Sequence, residues 1–503
     1  MRQQCSALVF TGLLASLFVP LSGCRQPGTP ITGNKEDAST QSETAATTSY
    51  AGRNIMVVTY NDETNSGATI QYTSSTRKVL PGASLMGWSW SGDMGQTWTY
   101  GGKVNPPKGW AVLWGDPAVT DSLAAYRYVF LSNLAIPDSK FPAGGIDGSV
   151  IISGADSYIG GACIARSSDG GVTFQNYQCV SNTAKNSVPN SEKGHFYDGG
   201  SMASSRAGDI YAAYVDVTTS QIDVWHSPAI GGTFTMMPPP FPGMDISTHP
   251  RIRVDPATGF LYVAAQASNA VVFMNRFANG HWGQPVQASD AGVIYPCIAF
   301  EAGGCDPFST KLNVRTGPQF SFDIGAASDE NGSDAIRLLY TRRDPQTNTF
   351  FVTGAFCPLS LSPGCKLAPE WGTTPGSLSI KGDEYNPNVS AWPGFIGLAP
   401  AWKGTYMHRE EPMPGKVSLS QGNLGYLPGG KRIYVPFDVI SQQPVCPDGR
   451  GYWGDYDDLI FAGFKNGSTT ASFFRPMSDS SLGCGKRWEY TSSHLHLRGF
   501  VFE

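Results

Sequence analysis

The chain is poor in charge. Asp, Glu, Lys and Arg make up 15% of its 503 residues and the formal net charge is −5, against about 25% charged residues in an average soluble protein. No long basic run interrupts this pattern, so the electrostatic footprint of a nucleic-acid binder is missing and nucleic acid is excluded as a partner. The seven histidines show no HExxH spacing, no CxxC pair occurs, and there is no GxSxG elbow. A catalytic metal and an α/β-hydrolase nucleophile are therefore unsupported. Helix-period patterns are nearly absent. The apolar run from Ser6 to Leu21 is too short and wrongly flanked to span a membrane.

Turn formers are plentiful. The 59 glycines and 36 prolines are together roughly a fifth of the chain, which suits a turn-rich all-β protein and stays below the range of disorder. Length alone suggests about three domains, but a repeated array overrides that count.

The N-terminus reads as a targeting segment, with Arg2 ahead of the apolar run and Leu21-Ser22-Gly23-Cys24 at its end. That tetrapeptide resembles a bacterial lipobox. The resemblance implies removal of residues 1–23, a lipid on Cys24, membrane attachment through that lipid, and residence in the cell envelope outside the cytoplasm; an ordinary secretory signal is the alternative. Arg25 follows, so nothing marks the protein for retention in an inner membrane. Residues 24–50, rich in Thr, Ser, Gly and Pro, read as a flexible tether, and 51–503 as the folded part.

Eight cysteines remain beyond Cys5 and Cys24. In an oxidising compartment neighbours pair most simply as Cys163–Cys179, Cys297–Cys305, Cys357–Cys365 and Cys446–Cys484, although eight thiols allow 105 connectivities. The first pair is the best supported, since the two cysteines flank a hairpin turn.

That turn is one of three copies of a motif. Ser91-Gly92-Asp93-Met94-Gly95-Gln96-Thr97-Trp98 returns as Ser167-Ser168-Asp169-Gly170-Gly171-Val172-Thr173-Phe174, and with Ala229 replacing the acid as Ser227 to Phe234. An Asp carboxylate can accept the N–H groups of its own turn while Gly supplies positive φ. The motif is similar to the Asp-box of BNR repeats, and on it the chain resembles the sialidase superfamily of β-propellers. In that family the box is a fold device distant from the pocket, so Ser91, Asp93, Gly95, Trp98, Ser167, Asp169, Gly171 and Phe174 are expected to be structural.

A second repeat supplies a count. Polar openings near Asp116, Asp198, His249, Phe320, Asn386 and Asp455 are followed by strands carrying Tyr128, Tyr211, Tyr262 and, more loosely, Tyr340. Six openings predict a six-bladed propeller, closed by pairing of Asn54–Tyr60 with the last blade so that no sheet edge is left exposed. A β-sandwich with an added lectin-like module is the rival fold.

The resemblance implies three arginines clamping a substrate carboxylate, a Tyr nucleophile assisted by a Glu, and an Asp acid/base, a departure from two-carboxylate glycosidases. The Phe/Tyr-Arg-Ile-Pro motif that carries the family's first arginine is missing here; Arg53 and Arg77 stand in other contexts. Candidates remain at the openings: Asp116 with Tyr385 and Glu384 for catalysis, and Asp198, His249, Arg251, Arg253, Arg342 and Asp455 for binding, with Arg343 and Arg409 adding positive charge. Each Asp can equally be a turn cap and each Arg a solvated side chain. Tryptophans such as Trp88, Trp90, Trp114, Trp392 and Trp402 fit either sugar stacking or the core. No cofactor is expected; Asp455-Tyr456-Asp457-Asp458 gathers oxygen ligands suited to Ca²⁺, or a set of capping acids. Three readings follow: a tethered propeller binding glycans or a surface protein, an exo-acting glycoside hydrolase on acidic glycans, and an envelope scaffold.

Overall fold

A computed structural model describes residues 29–31, 41–49, 55–62, 70–72, 77–125, 127–141, 144–147, 160–181, 197–246, 250–267, 271–290, 314–315, 320–325, 335–343, 350–362, 364–368, 383–392, 401–413, 416–427, 431–444, 451–452, 459–464, 471–479 and 496–502. Apart from one 3₁₀ turn, Asp138–Lys140, the named elements are strands. They form seven antiparallel sheets, six of four strands and one of five, with two smaller sheets beside them.

Seven inner strands stand round one axis: Gln41–Ser49, Trp110–Asp121, Tyr197–Ser204, Arg251–Val254, Phe320–Gly325, Asp383–Trp392 and Ile460–Phe464. Each packs beside the next, and the seventh packs against the first, which closes the ring and makes the fold an all-β propeller. Side chains on one inner strand tie to backbone on its neighbour. Asp121 N–H donates to Thr47 Oγ1 (3.2 Å), Leu123 N–H to Ser204 Oγ (3.2 Å), Ile252 N–H to Ser201 Oγ (3.1 Å) and Val389 N–H to Ser321 Oγ (3.3 Å).

The expected count of six is corrected by this ring. Four of the predicted openings fall on inner strands and the other two, at His249 and Asp455, lie outside the described residues ahead of two more, but a further sheet is built from Gln41–Ser49, Ile55–Asp62, Met86–Ser91 and Thr99–Lys103. Ile55–Asp62 pairs with its own two neighbours rather than with the last sheet, whose outer edge is instead closed by Thr29–Pro30 on His496–Phe502. Two stretches of the presumed tether are thus strands. Gln41–Ser49 escaped notice because an inner strand needs no apolar run: Thr44, Thr47, Thr48 and Ser49 are buried polar residues.

The core lies between sheets. Phe130, Leu134 and Ile136 of the second sheet meet Met202, Ile210 and Tyr214 of the third, while Leu131 and Ala135 on the opposite face meet Met86 and Trp88 of the first. Alternation along one strand therefore serves two interfaces, and each buried large apolar side chain contributes about 1.5–3 kcal/mol. Tyr211, Tyr262 and Tyr340 occupy second strands as expected, whereas Tyr128 stands just before the second strand Val129–Pro137.

The three related turns sit between third and fourth strands. In the first, Ser91 Oγ donates to Asp93 Oδ1 (2.7 Å) and accepts Gly95 N–H (2.8 Å), while Asp93 accepts Thr97 N–H (2.8 Å) and Thr97 Oγ1–H (2.6 Å). The second repeats this network through Ser167, Asp169, Gly171 and Thr173. Partial burial works to raise both carboxyls, but these hydrogen bonds outweigh it and hold Asp93 and Asp169 below the ordinary carboxylate value. In the third turn the lost acid is replaced from the neighbouring sheet. Gln178 Oε1 accepts Phe234 N–H (3.2 Å), and Gln178 Nε2 donates to Gly232 O (2.7 Å).

Cys163 and Cys179 face each other across adjacent strands and are bonded, as are Cys357 and Cys365. Cys297, Cys305, Cys446, Cys484 and Cys24 lie outside the described residues. Disulfides persist in oxidising compartments and are rare in the cytosol, so these two point to a protein that works outside it. Among the described residues no helix is long and apolar enough to cross a membrane.

Candidate functional site

The inner strands all start at one end of the ring, and the pairing of three of them slips, near the start in the third and sixth and midway along the second. Register shifts fall between Gly115 and Ala118, between Asp198 and Ser201, and between Tyr385 and Asn388. A bulge leaves its residues unpaired in the ladder and re-aims them. Asp116 takes φ 50°, which a short polar side chain tolerates better than most. Gly115 before it has φ 135°, and a Cβ there would stand 2.6 Å from Asn61 Oδ1. The close approach is used, because Asp116 N–H donates to that same Asn61 oxygen at 3.1 Å.

The bulges bring Asp116 and Asp198 together. Gly199 N–H donates both to Asp116 Oδ2 (3.0 Å) and to Asp198 Oδ1 (3.0 Å). Two oxygens that accept from one N–H at 3.0 Å each stand within about 4 Å of one another. Both side chains are half-buried. A pair of acceptors at a partly open rim is chemically suited to neighbouring hydroxyl groups, which donate to carboxylates in charge-assisted hydrogen bonds.

The basic candidates are arranged differently. Arg251 and Arg253 alternate with buried Ile252 and Val254 on the fourth inner strand, so they share its half-buried face. Arg253 Nε lies 3.4 Å from Asp323 Oδ1 on the fifth inner strand, and its Nη1 donates to Ile252 O (3.0 Å). Arg342 belongs to the second strand of the fifth sheet and pairs with Asp290 at 2.5 Å, where Asp290 also accepts the Tyr340 hydroxyl (2.9 Å). Arg253 and Arg342 thus each answer to a different acid. Glu384 and Tyr385 hold successive positions in the sixth inner strand, opposite His408 and Met407, and Arg409 stands opposite Asp383. Arg343 closes the second strand of the fifth sheet.

His249 and Asp455 lie outside the described residues, and so do Tyr456, Asp457 and Asp458. Among the described residues no group of three or more His, Cys, Asp or Glu is placed to hold a metal. Three of the tryptophans serve packing, whereas the side chains of Trp392 and Trp402 lie outside what is described. Trp88 and Trp98 are buried, Trp88 meets Phe174 edge to face at 5.5 Å, and Trp114 packs on the core.

Sequence reasoning missed three contributors. Asn61 and Asp323 act through contacts between sheets, which no local pattern reveals. The third, Asp121, stands at the far end of the second inner strand, 9% exposed, with Oδ2 lacking a hydrogen-bond partner. Burial pushes its carboxyl up to about 7, against the pull of its own N–H and of Thr47.

No known protein-family model matches this chain, and no curated protein does. Among solved structures it is similar to a protein of unknown function from Dyadobacter fermentans, at 11% identity and TM-score 0.39 over 81% of this chain and 96% of that one. A mutant of AofleA from Arthrobotrys oligospora gives 10% identity and TM-score 0.38 over 78% and 83%. A sialidase from Trypanosoma rangeli in complex with sialic acid gives 9% and 0.38 over 78% and 56%.

Proposed function

We propose that this protein is a glycan-engaging propeller of the bacterial cell envelope, anchored to a membrane by a lipid on Cys24 and binding its ligand at the rim where the inner strands begin. The observation that supports the reading is the Asp116 and Asp198 pair sharing the Gly199 N–H, held by bulges on neighbouring inner strands. Sugar hydroxyls are the natural donors to such a pair, and Arg251 and Arg253 on the fourth inner strand extend the rim toward ligands that carry a carboxylate or sulfate. The test is a glycan array with the wild type and Asp116→Asn/Asp198→Asn. Loss of at least tenfold in affinity with an unchanged melting temperature is expected; unchanged binding overturns the site.

Hydrolysis is the second reading, favoured by the meeting of two acids at one N–H, since most glycosidases draw their acid and base from carboxyl groups. A panel of glycosides with fluorescent leaving groups, including sialosides, decides it. Release abolished by Asp116→Asn supports catalysis, and a flat trace alongside array binding supports a binder.

A further inference from the structure

The two ends of the ring are built differently. Where the inner strands finish, connections are short: residues 122–128, 205–209 and 255–260 lead to second strands, and 92–98, 168–174 and 228–234 lead to fourth strands. At the opposite end, nearer Asp198, connections vary from short ones at 217–220, 267–271 and 414–415 to long ones over 63–85, 138–160, 288–319 and 445–459. These include the strands of the two small sheets, Ile70–Tyr72 with Arg77–Val79 and Ile146–Asp147, and Val314–Arg315 with Gly451–Tyr452.

Thr29–Pro30 fixes the end from which the N-terminal segment enters. His496–Phe502 is the third strand of the seventh sheet counted from the axis, so it runs like an inner strand, toward the short-turn end. Thr29–Pro30 pairs with it antiparallel, Thr29 opposite Gly499, and therefore rises from that end. Gly499 is three residues short of Phe502, about 10 Å at 3.3 Å per residue. Cys24 precedes Thr29 by five residues, a reach of about 18 Å at most. A lipid-bearing Cys24 therefore clears the short-turn edge by less than about 10 Å. To pass the other end it would have to reverse direction against the strand it enters.

We propose that the short-turn end of the ring rests on the membrane surface and the Asp116/Asp198 rim faces away from it. The orientation rests on the reading of Cys24 as the lipid-bearing residue. The occupant of this face is a bilayer with anionic headgroups, for which the face carries a receptor. Arg127 Cζ lies 4.9 Å and Arg166 Cζ 5.7 Å from the centroid of the Tyr128 ring, and Arg127 Nη2 donates to the Tyr128 hydroxyl (3.0 Å). Among the described residues neither guanidinium has a carboxylate partner, and Arg166 Nε is buried without an acceptor. Two uncompensated guanidiniums on an aromatic ring suit headgroup phosphate at an interface.

The full-length lipidated protein, labelled with a fluorophore at Ser168→Cys on the short-turn end or at Lys108→Cys on the opposite end, is reconstituted in vesicles of phosphatidylcholine and phosphatidylglycerol carrying a headgroup quencher. Quenching at residue 168 is expected to exceed that at residue 108 several-fold, and to fall at least twofold in Arg127→Gln/Arg166→Gln. Equal or reversed quenching with lipid on Cys24 confirmed by mass spectrometry overturns the orientation alone. Absence of lipid on Cys24 overturns the anchoring reading and the orientation with it, and an unchanged signal in the double variant overturns the headgroup contact.

Discussion

Replacing Asp121 by Asn should make the protein more stable as pH rises. The carboxyl is buried, one oxygen has no partner, and its folded-state value is about 7, whereas an unfolded Asp titrates near 3.9. Because the folded value is raised, the group costs nothing below about pH 4, where both states are protonated. Its cost grows as pH climbs from about 4 to 7 and is constant above that. Three units at 1.36 kcal/mol each amount to about 4 kcal/mol. An isosteric amide carries no charge and escapes the loss. For a chain of this size the unfolding entropy is about 1 kcal/mol per degree, so the melting temperature of Asp121→Asn should exceed that of the wild type by about 4 °C at pH 8 and by under about 1 °C at pH 4. Differential scanning calorimetry of both proteins across that range is the assay. A difference that stays constant with pH would refute the argument, because a change in packing has no reason to follow the titration of one acid.

The capped turns behave with the opposite sign. Asp93 and Asp169 are held below the usual value, so their contribution is full above about pH 4 and fades as acid protonates them; Asp169→Ala should cost about 1 kcal/mol at pH 7, a figure kept low because the turn is exposed, and progressively less as pH falls below about 4, by denaturant titration. Gln178→Ala leaves Phe234 N–H without its acceptor, so exchange of that amide should quicken about tenfold while Thr97 and Thr173 amides keep their rates. Gly171 has φ 96° and a Cβ there would stand 2.2 Å from Val57 Cγ2, so Gly171→Ala should lower stability by about 2 kcal/mol or more through strain between the first two sheets. Gly115→Ala should abolish glycan binding on the array while shifting the melting temperature by only a few degrees, since its Cβ collides with Asn61, which holds Asp116.

The turns were legible because every partner in them lies within about eight residues, so spacing alone encodes Ser91 to Trp98. The disulfide between Cys163 and Cys179 was readable for the same reason, through the hairpin that joins its strands. Asp116 and Asp198 announced themselves as polar openings, but their meeting at Gly199 depends on a register between sheets 83 positions apart in sequence. The pairing of Arg253 with Asp323 was hidden in the same way. The first sheet failed for a different reason. Hydrophobic alternation detects strands that bury one apolar face, and Gln41–Ser49 buries hydroxyls against the hydroxyls and amides of its neighbours.

Thr29 meets Gly499, 470 positions further along the chain. A circular wall fastened by such distant residues has a latch that engages late, after the intervening sheets have stacked. Loop-closure entropy makes that step slow, and until it is taken two raw edges stand open to other chains.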